Sequence, residues 1–95
     1  MKLDVSVLAD KDLENIFDYT LERWGYNQAQ EYLGLILEIF NVILGSPKIG
    51  AKQPRMGTLR KLRAEHHMVY YIVGTNNIEI VRVLHKSADF KSAFD

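Results

Sequence analysis

The fold is decided by one stretch: His67-Met68-Val69-Tyr70-Tyr71-Ile72-Val73, then Gly74-Thr75-Asn76-Asn77, then Ile78-Glu79-Ile80-Val81-Arg82-Val83-Leu84. The first run is dense in aromatic and β-branched residues, the middle is a turn signal, and the last run is its hairpin mate. Both strands are apolar at most positions, so each is expected to be covered on two faces. One layer of helices shields only one of them. The other needs the C-terminal segment Ser87–Asp95 or a partner.

Upstream, Thr58–Arg63 reads as a short strand with Leu59 and Leu62 as its apolar members. Residues 45–57 hold three glycines, both prolines and Lys48, Lys52 and Arg55, which makes them a loop. Before that loop, Ala29, Tyr32, Leu33, Ile36, Phe40, Ile43 and Leu44 recur at helical spacing. Leu35, Ile39 and Val42 form a second stripe on another side of the same helix, the pattern of a helix that meets two layers or another chain. Asn27 with Gln30 suggests a capping box, and Gly45-Ser46-Pro47 a stop. Leu13, Ile16, Phe17, Leu21 and Trp24 mark an earlier amphipathic helix over about 10–24, with Asp10 as N-cap and Gly25 as its end. Asp12 and Glu14 would sit in its first turn. Leu3–Leu8 begins as an alternating strand. The expected fold class is α+β: an N-terminal strand, an antiparallel helical hairpin, then three antiparallel strands in one small sheet, with a short tail. Residues 1–95 are expected to form a single domain.

Composition narrows the function classes. The chain has 95 residues and 11.0 kDa, 47% hydrophobic and 11% aromatic with only two prolines, which argues against disorder. It lacks cysteine, which removes disulfides, thiolate zinc sites and a cysteine nucleophile. The longest run without Asp, Glu, Lys or Arg, His66–Ile78, is far short of the roughly 20 apolar residues of a membrane helix. Met1-Lys2-Leu3-Asp4 leads straight into the strand pattern, without a signal-peptide core, so a soluble cytoplasmic protein is expected. The net charge is zero, yet residues 1–45 carry three basic and eight acidic side chains (−5) and residues 46–95 nine basic and four acidic ones (+5). The basic half either faces an anionic partner or is simply a solvated sheet surface.

Candidate chemistry gathers in the last forty residues: Arg60, Lys61, Arg63, Glu65, His66, His67, Arg82, His85, Lys86 and Asp89. A metal site from His66, His67, His85 and Asp89 is disfavoured, since neighbours on a strand point to opposite faces and no dense ligand motif occurs. A metal-free nuclease would use His85 or His67 as acid/base, with Arg82 and Arg60 on phosphate. The plainer reading is that a strand-end histidine caps backbone groups and Arg82 pairs with a buried carboxylate. Trp24, closing an amphipathic helix, reads as core, and so do Tyr70 and Tyr71.

An ordered series of residues carries a resemblance. It runs through Ala9-Asp10-Lys11-Asp12-Leu13-Glu14-Asn15-Ile16, Tyr19, Trp24-Gly25, Ala29, Tyr32-Leu33, Pro47 and Ile49-Gly50. It continues with Leu59-Arg60, His67–Tyr71 and Ile78–Asp89, ending Arg-Val-Leu-His-x-x-x-Asp. In these residues, nearly the whole chain resembles ParE-type toxins of the RelE/ParE superfamily. The resemblance implies a helical hairpin on a small antiparallel sheet with a concave far face. It also implies the toxin half of a type II toxin–antitoxin module that inhibits DNA gyrase by protein–protein contact. A ParD-like antitoxin would neutralise it, and DNA would be contacted only through that antitoxin. No cofactor or metal is implied. Target engagement would fall to Arg60, Arg63, Arg82, His85, Lys86, Asp89 and Phe90, and antitoxin binding to Leu35, Ile39 and Val42. RelE-like relatives instead cut ribosome-bound mRNA, which here would rest on His85, His67, Arg82 and Arg60. The chain lacks the tyrosine or histidine after His85 that the nuclease branch often carries, and it has Ala88 where ParE relatives often have methionine.

Overall fold

The computed structural model describes residues 1–94, apart from the side chain of Phe90. The expectations placed on that side chain and on Asp95 lie outside the described residues. The elements are β1 (Lys2–Val5), α1 (Val7–Trp24), α2 (Tyr26–Gly45), β2 (Ala51–Lys52), β3 (Leu59–Ala64), β4 (His67–Val73), β5 (Asn77–His85) and α3 (Phe90–Phe94). The strands form one sheet in the order β1-β5-β4-β3-β2. β1 runs parallel to β5 and every other pairing is antiparallel. The α+β architecture is as expected, with one strand more, since the two-residue β2 is too short to show a pattern.

Helix α1 begins earlier than the sequence suggests. Ser6, not Asp10, is the N-cap: its Oγ accepts from the Ala9 N–H at 3.0 Å, and the same hydroxyl donates to the Val81 carbonyl at 2.7 Å. The Ser6 N–H donates to the Ile80 carbonyl at 2.9 Å. The cap therefore ends β1 and takes over its pairing with β5, which is why Val7 and Leu8 are helical rather than extended. α1 and α2 meet at Gly25, whose φ of 90° disfavours any other residue. Gly25 is also the N-cap of α2 and makes no side-chain cap bond, so the Asn27 capping box does not form. Gln30 donates to the Tyr26 hydroxyl instead.

The main core lies between the helical hairpin and the sheet. Ala9, Ile36, Phe40, Ile43, Ala64, Val69, Tyr71, Ile78, Ile80 and Val83 are buried together. A bulge on β5 makes this possible: Tyr70 faces Arg82 but Tyr71 faces Ile80, so Val81 is the extra residue. Ile80 and Val83 thereby point to the same face although three apart. Leu35 and Ile39 are partly buried against this core, so the second stripe of α2 is not bare along its length. Of the three, Val42 is the most exposed, at 37%.

Leu59, Tyr70 and Leu84 form a second cluster on the opposite face, with Met68, Ile72, Val81, Ala93 and Phe94 against it. The Phe94 ring meets Tyr70 edge-on at 5.2 Å. The C-terminal segment is thus what shields the second face of the central strands.

The loop after α2 is pinned from below. Tyr71 donates its hydroxyl proton to the Pro47 carbonyl at 2.7 Å and accepts from the Gly50 N–H at 2.8 Å. A Cβ on Gly50 would fall 2.6 Å from the Tyr71 oxygen and 2.8 Å from the Lys61 carbonyl, so only glycine fits there.

Candidate functional site

The end of the sheet near the β3–β4 turn gathers the histidines. A two-residue connection, Glu65-His66, joins paired Ala64 and His67, with Glu65 at φ 55°. That turn swings His66 back over α2, so Tyr32 meets both neighbours. Its ring stacks on His66 at 6.3 Å and meets His67 edge-on at 5.4 Å. The expectation that His66 and His67 point apart fails, because His66 belongs to the turn and not to the strand. His85, opposite His67 on β5, lies edge-on to it at 5.3 Å.

The Tyr32 hydroxyl accepts from the His66 N–H at 3.2 Å and lies 2.5 Å from Nδ1 of His67. Its own proton is best used on that nitrogen, since the Ala64 carbonyl is 3.5 Å away. His67 is therefore neutral, with the ring proton on Nε2. Burial, reinforced by neighbouring His85 and His66, pushes its pKa down to about 4. Burial also raises the Tyr32 phenol above its usual range.

The shift has a stability consequence. Between pH 4 and 6.5 the unfolded chain binds a proton that native His67 refuses, so stability rises with pH across that window. The contribution is complete above about pH 6.5 and lost as pH falls toward 4. Urea unfolding of wild type should lose more stability between pH 7.5 and 4.5 than that of His67→Gln. Matching losses would show that His67 does not carry the effect.

These residues form one wall of an open groove of about 660 Å³, faced across by Tyr19, Trp24 and Leu35. Trp24 is 64% exposed and stacks edge-on against Tyr19 at 6.3 Å. It is not the core residue that its place in the α1 stripe suggests. Tyr19 and Tyr32 were not singled out from the sequence as site residues; the only sign was an aromatic at each of two helical positions.

The cations expected to engage a target are divided. Arg82 makes a bidentate pair with Asp12, Nε to Oδ2 at 2.8 Å and Nη2 to Oδ1 at 2.9 Å, and reaches the Ala93 carbonyl at 3.4 Å. The bonds to Asp12 raise its pKa further. Arg60 donates Nη1 to the carbonyls of Lys48 and Gly50 at 3.1 and 2.7 Å, clamping the loop after α2. Arg63 is exposed and bonds the Glu65 carbonyl. By strand alternation it shares the α3 face with Lys61. His85 lines the groove instead, its Nδ1 2.7 Å from the Ser87 hydroxyl and accepting the Ser87 N–H. Lys86 is exposed beside it. Asp89 caps the first turn of α3, accepting from Lys91 N–H and the Ser92 hydroxyl. Among the described residues no group of three His, Asp or Glu side chains could hold a metal ion. No helix among them is long and apolar enough to cross a membrane.

A family model of the ParE toxin of type II toxin–antitoxin systems, parDE, matches residues 3–90. The chain belongs to the ParE toxin family. Toxin ParE1 of Mycobacterium tuberculosis is 38% identical over 88 residues, covering 90% of this chain and 89% of that protein. Toxin ParE1 of Caulobacter vibrioides is 32% identical over 85 residues, covering 88% of each. Among solved structures, a chromosomal ParDE toxin–antitoxin system from P. aeruginosa superposes with a TM-score of 0.79 at 24% identity, covering 90% of this chain and 95% of that one. A YoeB/ParE toxin from Agrobacterium tumefaciens gives 0.66 at 14% identity, covering 90% and 98%. Those two likenesses concern the fold. As a ParE toxin, this chain is one half of a type II module and has an antitoxin as its cognate partner.

Proposed function

We propose that this toxin inhibits DNA gyrase by protein–protein contact, without breaking bonds, and that a ParD-like antitoxin neutralises it in the cytoplasm. The observation that carries the non-enzymatic reading is that Arg82, which a nuclease would need on the phosphate, is tied up in an ion pair, with Arg60 partly engaged and His67 neutral. Arg82 is held by Asp12 through Nε and Nη2, which turns its guanidinium away from a phosphate, and Arg60 spends Nη1 on two backbone carbonyls. His67, with its pKa at about 4, is not a loaded acid at neutral pH. Exposed Arg63 and Lys86 remain as cations for electrostatic contact with a target, along with Lys61.

For the antitoxin, the same reading assigns the groove beside Trp24. An apolar segment that folds on binding would lie between Trp24, Tyr19 and Leu35, and continue along α2 past Ile39 toward exposed Val42.

One supercoiling assay with purified gyrase tests both parts. Saturating toxin should abolish supercoiling, and cognate antitoxin should restore it. Trp24→Ala should raise the antitoxin needed for half-recovery by about tenfold or more, as loss of a large aromatic anchor does. Normal supercoiling at saturating toxin overturns the proposal. Codon-positioned mRNA ends after induction would replace it with the ribosome-dependent interferase.

A further inference from the structure

The sheet ends at β1 in an edge strand. β1 is the first strand in the order, and its inner side is fully used: the Lys2 N–H donates to the Asn76 carbonyl at 3.2 Å and the Ser6 N–H to the Ile80 carbonyl at 2.9 Å. By alternation, Leu3 and Val5 turn their N–H and C=O groups outward, away from β5. An edge of this kind is a template for another strand unless something blunts it. β1 is short, four residues, and holds no proline; its two charges are of opposite sign, so a second copy can match them. Lys2 and Asp4 sit on one face, 3.5 Å apart. The other face is apolar. Leu3 packs on the core, Val5 is 39% exposed, and Val7 and Leu8 in the first turn of α1 are 86% and 60% exposed.

We propose that two copies of this chain join antiparallel through Lys2–Val5, with Leu3 opposite Leu3 of the second copy, into one continuous ten-stranded sheet. The register follows from charge. Outward-facing residues must oppose one another to exchange backbone bonds, which leaves three ways to align so short a strand. Placing Leu3 opposite Val5 sets Asp4 against Asp4. Placing Met1 opposite Leu3 sets Lys2 against Lys2. Only Leu3 against Leu3 puts Lys2 opposite Asp4 at both ends, and it also brings Met1 onto Val5 on the apolar face. Because β1 pairs with residues 77–80, at the end of β5 away from His85, the groove at Trp24 stays open in both copies.

Sedimentation of the isolated toxin over a concentration series tests this. Wild type should show a monomer–dimer equilibrium. Val5→Pro removes an N–H that no intramolecular bond uses, at an edge position where proline is tolerated. It should raise the dimer dissociation constant at least tenfold with unchanged far-ultraviolet circular dichroism. Lys2→Asp should weaken the dimer, and Lys2→Asp combined with Asp4→Lys should restore it. That rescue reads the register itself, and it holds the test open if Val5→Pro does not fold. A toxin that stays monomeric at every concentration overturns the proposal. So does a charge swap that fails to restore what Lys2→Asp weakened. Val5→Pro weakening antitoxin capture with no change in toxin sedimentation also overturns it, by assigning the edge to an antitoxin strand.

Discussion

Asp12→Ala is expected to lower the unfolding free energy by about 3–5 kcal/mol, the cost typical of removing one partner from a mostly buried ion pair. Both side chains are largely out of water, at 20% exposure for Arg82 and 13% for Asp12. The alanine would leave the Arg82 guanidinium without its bidentate acceptor. It would also orphan the Val83 N–H, which donates to Asp12 Oδ2 at 3.0 Å. That second loss is specific to this site. β1 pairs with β5 only as far as Ile80, and beyond it Ser6 and Asp12 supply the bonds that a neighbouring strand would otherwise make. Arg82 reaches on to α3 through the Ala93 carbonyl, so one ion pair ties both helical layers to the sheet. Because the cost arises from stranding a charge, replacing both partners by apolar residues (Asp12→Leu with Arg82→Met) should recover much of it. Urea unfolding at pH 7 measures all three chains. A single-variant loss below about 1 kcal/mol would show that solvent reaches the pair and that it does not hold the layers.

This pair also shows where the sequence stops being readable. The hairpin His67–Val73 and Asn77–His85 was legible to within a residue, because β-branched density and a turn signal are local. The start of α1 was not. Ser6 competes with Asp10 as a cap, and what selects it is its bond to Val81, 75 residues away. Moving the helix start to Val7 shifts Asp12 out of the first turn, where it would only face the helix dipole, to a position beside β5. The role of Arg82 was legible only as an alternative, pairing with an unnamed carboxylate.

The groove was hidden for two reasons. Tyr32 meets His66 and His67 across 34 and 35 residues, through a tight turn whose geometry no periodicity reports. Trp24 lies in phase with the buried stripe of α1, yet phase says nothing of where the sheet ends. Eighteen residues of helix span about 27 Å, whereas from Val81, where α1 begins beside β5, only about 14 Å of that strand remains to His85. With β1 placed beside the start of α1, the last turn of that helix overruns the strands, and Trp24 overhangs the histidine end.

Phe40→Ala carries the second large effect, again about 3–5 kcal/mol, through lost apolar burial and the cavity left behind. Phe40 is 3% exposed and sits between Ile36 and Ile43 on the face of α2 that meets the sheet. Neighbours on a rigid sheet cannot collapse far to fill the space. A domain of this size has a total stability of about 5–10 kcal/mol, so the variant would stand near its folding threshold. An unchanged urea midpoint would mean that this face of α2 is assigned wrongly. Antitoxin separates core from interface at the same position. A partner that binds only the folded toxin adds about 4 kcal/mol at a thousand-fold excess over its dissociation constant. The variant should therefore be largely rescued in the complex, while Trp24→Ala, exposed in the groove, should leave the free toxin as stable as wild type and weaken the complex instead. If the two substitutions traded these behaviours, α2 would present Phe40 to the antitoxin and keep Trp24 for itself.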